Sequence, residues 1–141
     1  MKIATLEDLD EVERMALNFL AASPYKDHGN PEVILELIQN IIQGEPTEKI
    51  IILKPTEGFV VGMVTPFIFG NAPLATEIAW WVEPDKRGSG VGAELHKALE
   101  YWAKNIANCK FMSMASLDKT VEKYYKKNGY KLYERAYMKV L

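Results

Sequence analysis

The chain has 141 residues, 48% hydrophobic and 26% charged, with a formal charge of −2; these figures fit one soluble globular domain, 1–141, and exclude collagen-like and low-complexity chains. One cysteine, Cys109, excludes an internal disulfide and CxxC-type zinc sites, and with only His28 and His96 a site of several imidazoles is excluded as well; carboxylate-bound Mg or Ca is not excluded by these counts, although no metal is expected. No apolar run approaches the about 18 to 20 residues that span a bilayer, and the N-terminus lacks a hydrophobic signal core, which points to the cytoplasm and no membrane partner.

Taken in chain order, residues 2–5 read as a short strand, and Thr5 followed by Asp8 resembles a capping box opening a helix over 6–22. Leu9, Val12, Ala16 and Leu20 recur on it at helical spacing. Residues 23–31 are loop by composition, and Pro31 suits the first turn of a second helix running to Gln43, with Ile34, Leu37, Ile38 and Ile41 on its apolar side. The period then changes. Lys49–Leu53 and Phe59–Phe69 read as antiparallel strands joined by a tight turn, and Thr76–Val82 as a third strand. A helix follows Gly92 with Leu95, Ala98, Leu99, Trp102 and Ile106 as its stripe. Phe111–Ala115 is expected to be a strand, Lys119–Asn128 a helix stopped by Gly129, and Tyr130–Val140 a final strand. The order β-α-α-β-β-β-α-β-α-β predicts an α/β (α+β) fold: a mixed central sheet, antiparallel in its N-terminal half, with a parallel βαβ crossover in its second half and about four helices.

Charge is unevenly spread. Residues 1–48 carry three Lys/Arg against ten Asp/Glu, and the remainder fourteen against nine. Neither half is basic enough to predict a nucleic-acid partner; the split suits a cationic substrate near the first half and an anionic one near the second.

Residues Arg87–Gly92 are the most informative stretch. Three glycines in five residues, between a strand and a helix, let several backbone N–H groups converge without Cβ interference, and the helix N-terminus favours a phosphate there. Gly88-Ser89-Gly90-Val91-Gly92-Ala93 satisfies the dinucleotide pattern G-x-G-x-x-A, but five residues separate Val82 from the first glycine and too few parallel units follow. A P-loop fails because no Gly-Lys-Ser/Thr closes the turn.

Arg87-Gly88-Ser89-Gly90-Val91-Gly92 resembles the R/Q-x-x-G-x-G/A signature of the GNAT superfamily of acyl-CoA-dependent N-acyltransferases, preceded as usual by a hydrophobic strand and V-x-P. Tyr124 to Tyr130 resembles that family's L-Y-x-x-x-G-F/Y, one strand and one helix later. The resemblance implies the GNAT fold and acetyl-CoA as co-substrate. Its pyrophosphate would rest on the amides from Gly88 to Ala93, and its pantetheine arm along Trp80-Trp81-Val82, where a main-chain N–H near Trp81 or Val82 would polarise the thioester carbonyl. Asp118, seven residues before Tyr125, stands where many members have a cofactor-contacting Asn.

Transfer of an acetyl group to a primary amine in a ternary complex poses two proton problems: the amine must lose a proton and the leaving thiolate must gain one. The resemblance assigns the second task to Tyr125, leaving Tyr124, about 100° round the helix, as the packed neighbour. Glu77 is the best placed carboxylate for the first. The acceptor, a small-molecule or peptide amine, is expected at the loop between the first two helices, with Tyr25 and His28 as candidate contacts. Cys109 reads as a buried, inert thiol. The alternative is a non-catalytic acyl-CoA-binding or interaction module of the same fold. A monomer or homodimer fits either.

Overall fold

The structure, a computed structural model, describes residues 1–116 and 119–141. One five-stranded sheet runs in the order β1 (Lys2–Ile3), β2 (Lys49–Lys54), β3 (Gly58–Pro66), β4 (Pro73–Val82) and β5 (Phe111–Ser113). The first four strands are antiparallel neighbours, and β5 joins β4 in parallel. The helices α1 (Leu9–Ala22) and α2 (Pro31–Ile42) cover one face, while α3 (Val91–Asn105) and α4 (Lys119–Lys127) belong to the other.

The layering follows from the side-chain period of each element. On β2 the run Ile50–Leu53 is buried throughout because alternate residues serve opposite cores: Ile51 and Leu53 meet Val12, Met15 and Ile38, whereas Ile50 and Ile52 meet Leu95, Leu99 and Trp102. Before α1, the Asp8 carboxylate accepts from the Thr5 N–H at 2.8 Å and the Thr5 hydroxyl at 3.1 Å, and residues 6–8 form a 3-10 turn. Asn30 caps α2 by accepting from the Glu32 N–H at 3.0 Å, with Pro31 in the first turn. Gly62 allows α3 to sit close on β3, since a Cβ there would lie 2.6 Å from Leu99 Cδ1 and 2.8 Å from Trp102 Cζ3.

Several expected bounds shift. The strand expected over Phe59–Phe69 ends at Pro66, so Phe67 and Phe69 belong to a connecting turn, and β5 is three residues instead of five. The final strand expected over Tyr130–Val140 does not form: residues 130–141 carry no helix or strand, and Tyr137 is 90% exposed. Leu132, Tyr133, Tyr137, Met138 and Val140 are all more than half exposed, so among the described residues no layer covers either face of such a strand, unlike β2.

Two irregularities shape the site. The β4–β5 ladder covers only Leu74–Thr76 against Phe111–Ser113, leaving the β5-facing edge of β4 open from Glu77 onward. Opposite the Val61/Gly62 step the register skips Ile78, a bulge pairing Ala79 with Val61 and Glu77 with Gly62. Ile78 and Ala79 therefore both line the α1/α2 side, and Glu77 shares the α3 side with Trp80 and Val82.

Candidate active site

At the end of β4 a 3-10 turn, Pro84–Lys86, leads into the glycine segment and α3. Gly88 (φ +79°) and Gly90 (φ +92°) lie in the left-handed region, and a Cβ on either would meet nothing within 4 Å. Both glycines are thus required by backbone conformation, and the space in front of them is open. The first bond of α3 runs from the Glu94 N–H to the Gly90 carbonyl at 3.0 Å, which leaves the N–H groups of Val91, Gly92 and Ala93 without an intrahelical acceptor. No side chain caps this end. Backbone donors, the positive end of a helix and open space together suit a diphosphate.

The flanking side chains are placed otherwise than charge alone suggests. Arg87 donates from Nε to the Val82 carbonyl at 3.0 Å, and its guanidinium carbon stands 4.8 Å over the Trp81 ring. It therefore braces the strand end against the turn. Ser89 donates its hydroxyl to the Lys86 carbonyl at 2.5 Å, which closes the turn from within. Gly92 packs toward β4, where a Cβ would sit 3.5 Å from Trp80 Cζ2 and 3.6 Å from Val82 Cγ2.

Along β4 the Glu83 N–H bonds to the Glu57 carbonyl across β3 at 2.8 Å. By alternation the backbone groups of Trp81 also face β3, and those of Trp80 and Val82 face the open edge, in accord with the Val82 carbonyl's bond to Arg87. Of the two amides expected to serve the carbonyl, that of Val82 faces the open edge, as does that of Trp80, whereas that of Trp81 faces β3. The Trp81 ring instead packs on Phe19, 5.4 Å between centroids. Both indole N–H groups, of Trp80 and Trp81, are buried without an acceptor among the described residues. An arm bearing amide carbonyls along this edge is chemically suited to such donors.

Tyr125 and Glu77 converge on one residue. The Tyr125 hydroxyl donates to the Ala115 carbonyl at 2.5 Å, and Glu77 Oε2 accepts from the Ala115 N–H at 3.2 Å. Ala115 lies two residues past β5, where that strand has left β4. Burial raises the Glu77 pKa above the ordinary carboxylate range, with the Ala115 N–H pulling more weakly in the opposite direction. Contrary to expectation, Tyr125 is the deeply packed tyrosine, 7% exposed, and Tyr124 is only half-buried. The reason is that α4 directs Tyr125 inward over Trp80, ring centroids 6.2 Å apart, to reach Ala115.

Tyr124 belongs to a polar chain that sequence reasoning did not single out. His96, 1% exposed on α3, lies within 2.8 Å of Tyr124 Oη through Nδ1 and of Tyr130 Oη through Nε2. Tyr130 spends its one proton on Glu100 Oε1 at 2.7 Å, so its oxygen accepts from His96 Nε2–H, and Tyr124 must then donate to Nδ1. The order Tyr124→His96→Tyr130→Glu100 defines a neutral imidazole, as does burial, which lowers the His96 pKa against the opposing pull of Glu100. Burial foremost, with Glu100 nearby, raises the Tyr124 and Tyr130 pKa values. This chain ties α4, and with it Tyr125, to α3. The only sequence signal was two tyrosines flanking the L-Y-x-x-x-G-like motif opposite a histidine on an otherwise apolar helix stripe.

A second unforeseen contact anchors the far end of β4. Glu83, 7% exposed, accepts from Arg14 Nη1 at 2.9 Å and from Asn18 Nδ2 at 3.1 Å, fastening α1 beside the glycine turn. The acceptor candidates lie apart from these groups. Tyr25 and His28 are exposed on a 3-10 turn, Lys26–His28, whose bonds are local: Tyr25 N–H to Ser23 Oγ at 3.1 Å and His28 N–H to the Tyr25 carbonyl at 3.0 Å. Asp118 lies outside the described residues. Cys109 is a half-buried free thiol whose pKa burial raises. No group of three His, Cys, Asp or Glu among the described residues could hold a metal ion. No helix among them is long and apolar enough to cross a membrane.

The mixed sheet thus parts between its parallel strands beside a glycine-rich helix start. The model of the acetyltransferase (GNAT) family matches residues 11–130, and the chain belongs to that family. Three solved structures are similar at 18% identity. A mutant of the BH1408 protein of Bacillus halodurans matches over 99% of this chain and 98% of its own, TM-score 0.77. A GNAT family acetyltransferase of Staphylococcus aureus matches over 99% and 96%, TM-score 0.72. AAC(6')-Iy, in complex with the bisubstrate analog CoA-S-monomethyl-acetylneamine, matches over 99% and 95%, TM-score 0.73. No curated protein sequence matches the chain.

Proposed function

We propose that this protein is an acetyl-CoA-dependent N-acetyltransferase that acts on a primary amine by direct attack in a ternary complex. The observation that carries the reading is the meeting of Glu77 and Tyr125 at Ala115, beside the open edge of β4 that starts at Glu77. Support comes also from the family membership and from a neighbour of the same fold bound to a CoA bisubstrate analog.

Acetyl-CoA supplies an activated acyl group when bound. The N–H groups of Val91, Gly92 and Ala93 hold its diphosphate, and the backbone of Trp80 and Val82 pairs with its arm as an added strand would. The Val82 or Trp80 N–H donates to the thioester oxygen in a site shielded from water. Glu77 receives a proton from the incoming ammonium, directly or through one water. Its burial suits this work, since a raised carboxylate pKa makes a stronger base than an exposed glutamate. Tyr125 keeps its proton on Ala115 until a thiolate, a stronger acceptor than an amide carbonyl, draws it away.

The test has two parts. Calorimetric titration with acetyl-CoA reports binding, and thiol release against a panel of primary amines reports turnover. Saturable binding with amine-dependent release supports the proposal. Binding with no release above the enzyme-free rate for any amine leaves the non-catalytic module, and absence of binding overturns both.

A further inference from the structure

An apolar cavity of about 250 Å³ lies on the other side of β4, between α1, α2 and the sheet. Val12, Phe19, Ile34, Ile38 and Ile51 form its depth, and Ser23 is the one polar residue in its lining. Ile78 and Leu37, 44% and 47% exposed, stand where it meets solvent. We infer that this cavity seats the carbon skeleton of the acceptor, which is therefore a primary amine with a hydrocarbon body of about six to nine carbons. This rests on the transferase reading above and names the substrate class for it.

Three observations carry the inference. The first is position. The bulge turns both Ile78 and Ala79 into the cavity wall, while the next residue, Trp80, directs its backbone to the open edge. A group filling the cavity therefore lies across β4 from Glu77, and its amino end must pass the open edge of the strand beside Ile78 to meet the base and the thioester track.

The second is chemistry. With no carboxylate in the lining, an ammonium inside would lose its hydration without a partner, so a polyamine or amino acid is ill suited to this space. A hydrocarbon loses nothing by entering. A dry apolar cavity of about 150 Å³ accommodates benzene, so this one has room for a ring with a short arm or a chain of similar bulk.

The third is charge. The elements that build this side, α1 and α2, lie in the strongly acidic stretch 1–48. Some of these carboxylates are already paired, Asp8 with Lys2 and Glu11 with Arg14, but the net excess of acid on the elements of this side suits a molecule with a cationic head and an apolar body. The loop after α1 is fixed to the rim of the cavity, by the Tyr25 N–H on Ser23 Oγ and by Gly29, which packs against Leu20.

Initial rates of thiol release from acetyl-CoA, measured for n-alkylamines from propyl to decyl, for 2-phenylethylamine and for spermidine, test this. The expected kcat/KM climbs about fourfold per methylene and then levels off once the cavity is full. Hexylamine and 2-phenylethylamine should exceed spermidine at least about 100-fold. Leu37→Glu at the exposed mouth, which places no demand on the core, should flatten the series and leave acetyl-CoA affinity unchanged. Ala16→Phe, which fills the interior, should do the same. A flat series or a preference for spermidine with acetyl-CoA binding intact overturns the inference and spares the transferase reading. If instead hexanoyl-CoA outpaces acetyl-CoA and Leu37→Glu abolishes only that advantage, the cavity holds the donor's chain and the inference falls. Failure of acetyl-CoA to bind removes the transferase reading itself.

Discussion

Glu77→Gln isolates the proposed base from its structural role. Gln keeps an oxygen that can accept from the Ala115 N–H, the 3.2 Å bond that Glu77 makes, and keeps the side-chain volume, so the fold loses little. What it loses is the ability to take a proton, which in general-base catalysis is worth about 10²- to 10⁴-fold in rate. The pH behaviour is more diagnostic. Burial holds the Glu77 pKa above its unfolded value, so the folded state favours the protonated acid. That contribution to stability is full below the unfolded pKa and is lost as pH rises through the folded one. At pH 8 the wild type carries the burden of a buried carboxylate that the Gln variant does not. The variant should therefore melt at an equal or higher temperature at pH 8, and its advantage should shrink as pH falls through the raised folded pKa and be gone below about pH 4.5. In kcat/KM profiles the wild type should show an acidic limb, set by Glu77 above the ordinary carboxylate range, that is absent from Glu77→Gln. The acceptor's own deprotonation, near pH 10 for an alkylamine, lies well apart. Steady-state thiol-release assays from pH 5 to 9 with melting curves at the same pH values decide the matter. A Gln variant within threefold of wild type, or one that retains the acidic limb, would refute the assignment.

Tyr125→Phe should lower kcat about 10²- to 10⁴-fold with little change in acetyl-CoA affinity, and should cost about 1–3 kcal/mol of stability because the Ala115 carbonyl loses its donor, read by stopped-flow turnover and urea unfolding. Gly90→Glu puts a carboxylate into the open space before the helix start and strains a residue at φ +92°; calorimetry should show acetyl-CoA binding lost, for a stability cost of about 1–2 kcal/mol. His96→Phe leaves Tyr124 and Tyr130 short of a partner each and should cost about 2–4 kcal/mol. In the wild type the depressed His96 pKa stabilises the fold above the unfolded value near pH 6.5, and that part is lost as pH falls below it; the Phe variant should lose this acid sensitivity in melting curves. Arg14→Leu removes one of two donors to the Glu83 carboxylate and leaves Asn18 as the other; with the guanidinium half exposed the loss should be about 1 kcal/mol, read by urea unfolding, and a loss above about 3 kcal/mol would show that the pair acts as a buried one.

Much of this architecture is written locally. The glycines at 88 and 90 stand where positive φ is needed, the helix stripes of α1 to α3 follow their apolar period except at Leu37, which is exposed, and Ile106, which is exposed beyond the end of α3, and β2 is a continuous apolar run because both its faces are covered. What sequence reading mislaid was nonlocal. The role of Tyr125 against Tyr124 turns on which one reaches Ala115, a contact ten residues away through a strand that parts from its neighbour. The choice between the Trp81 and Trp80 amides turns on pairing with β3, which no periodicity reveals. The His96 chain joins residues 28 and 34 positions apart. The expected last strand failed for a further reason: β propensity in Tyr, Leu and Val does not suffice where no layer among the described residues covers those side chains.

The skipped residue on β4 makes the site a matter of parity. Because Ile78 pairs with nothing, every side chain from Pro73 to Glu77 is out of phase with those from Ala79 to Val82. Were Ile78 instead paired in register, the ladder would alternate without interruption and Glu77, two residues before Ala79, would stand with it on the α1/α2 side, away from Tyr125 and Trp80. The bulge itself thus keeps the proposed acid and base on one side of the sheet: deleting Ile78 would leave Glu77 where it is, whereas drawing residue 78 into the ladder would part Glu77 from Tyr125.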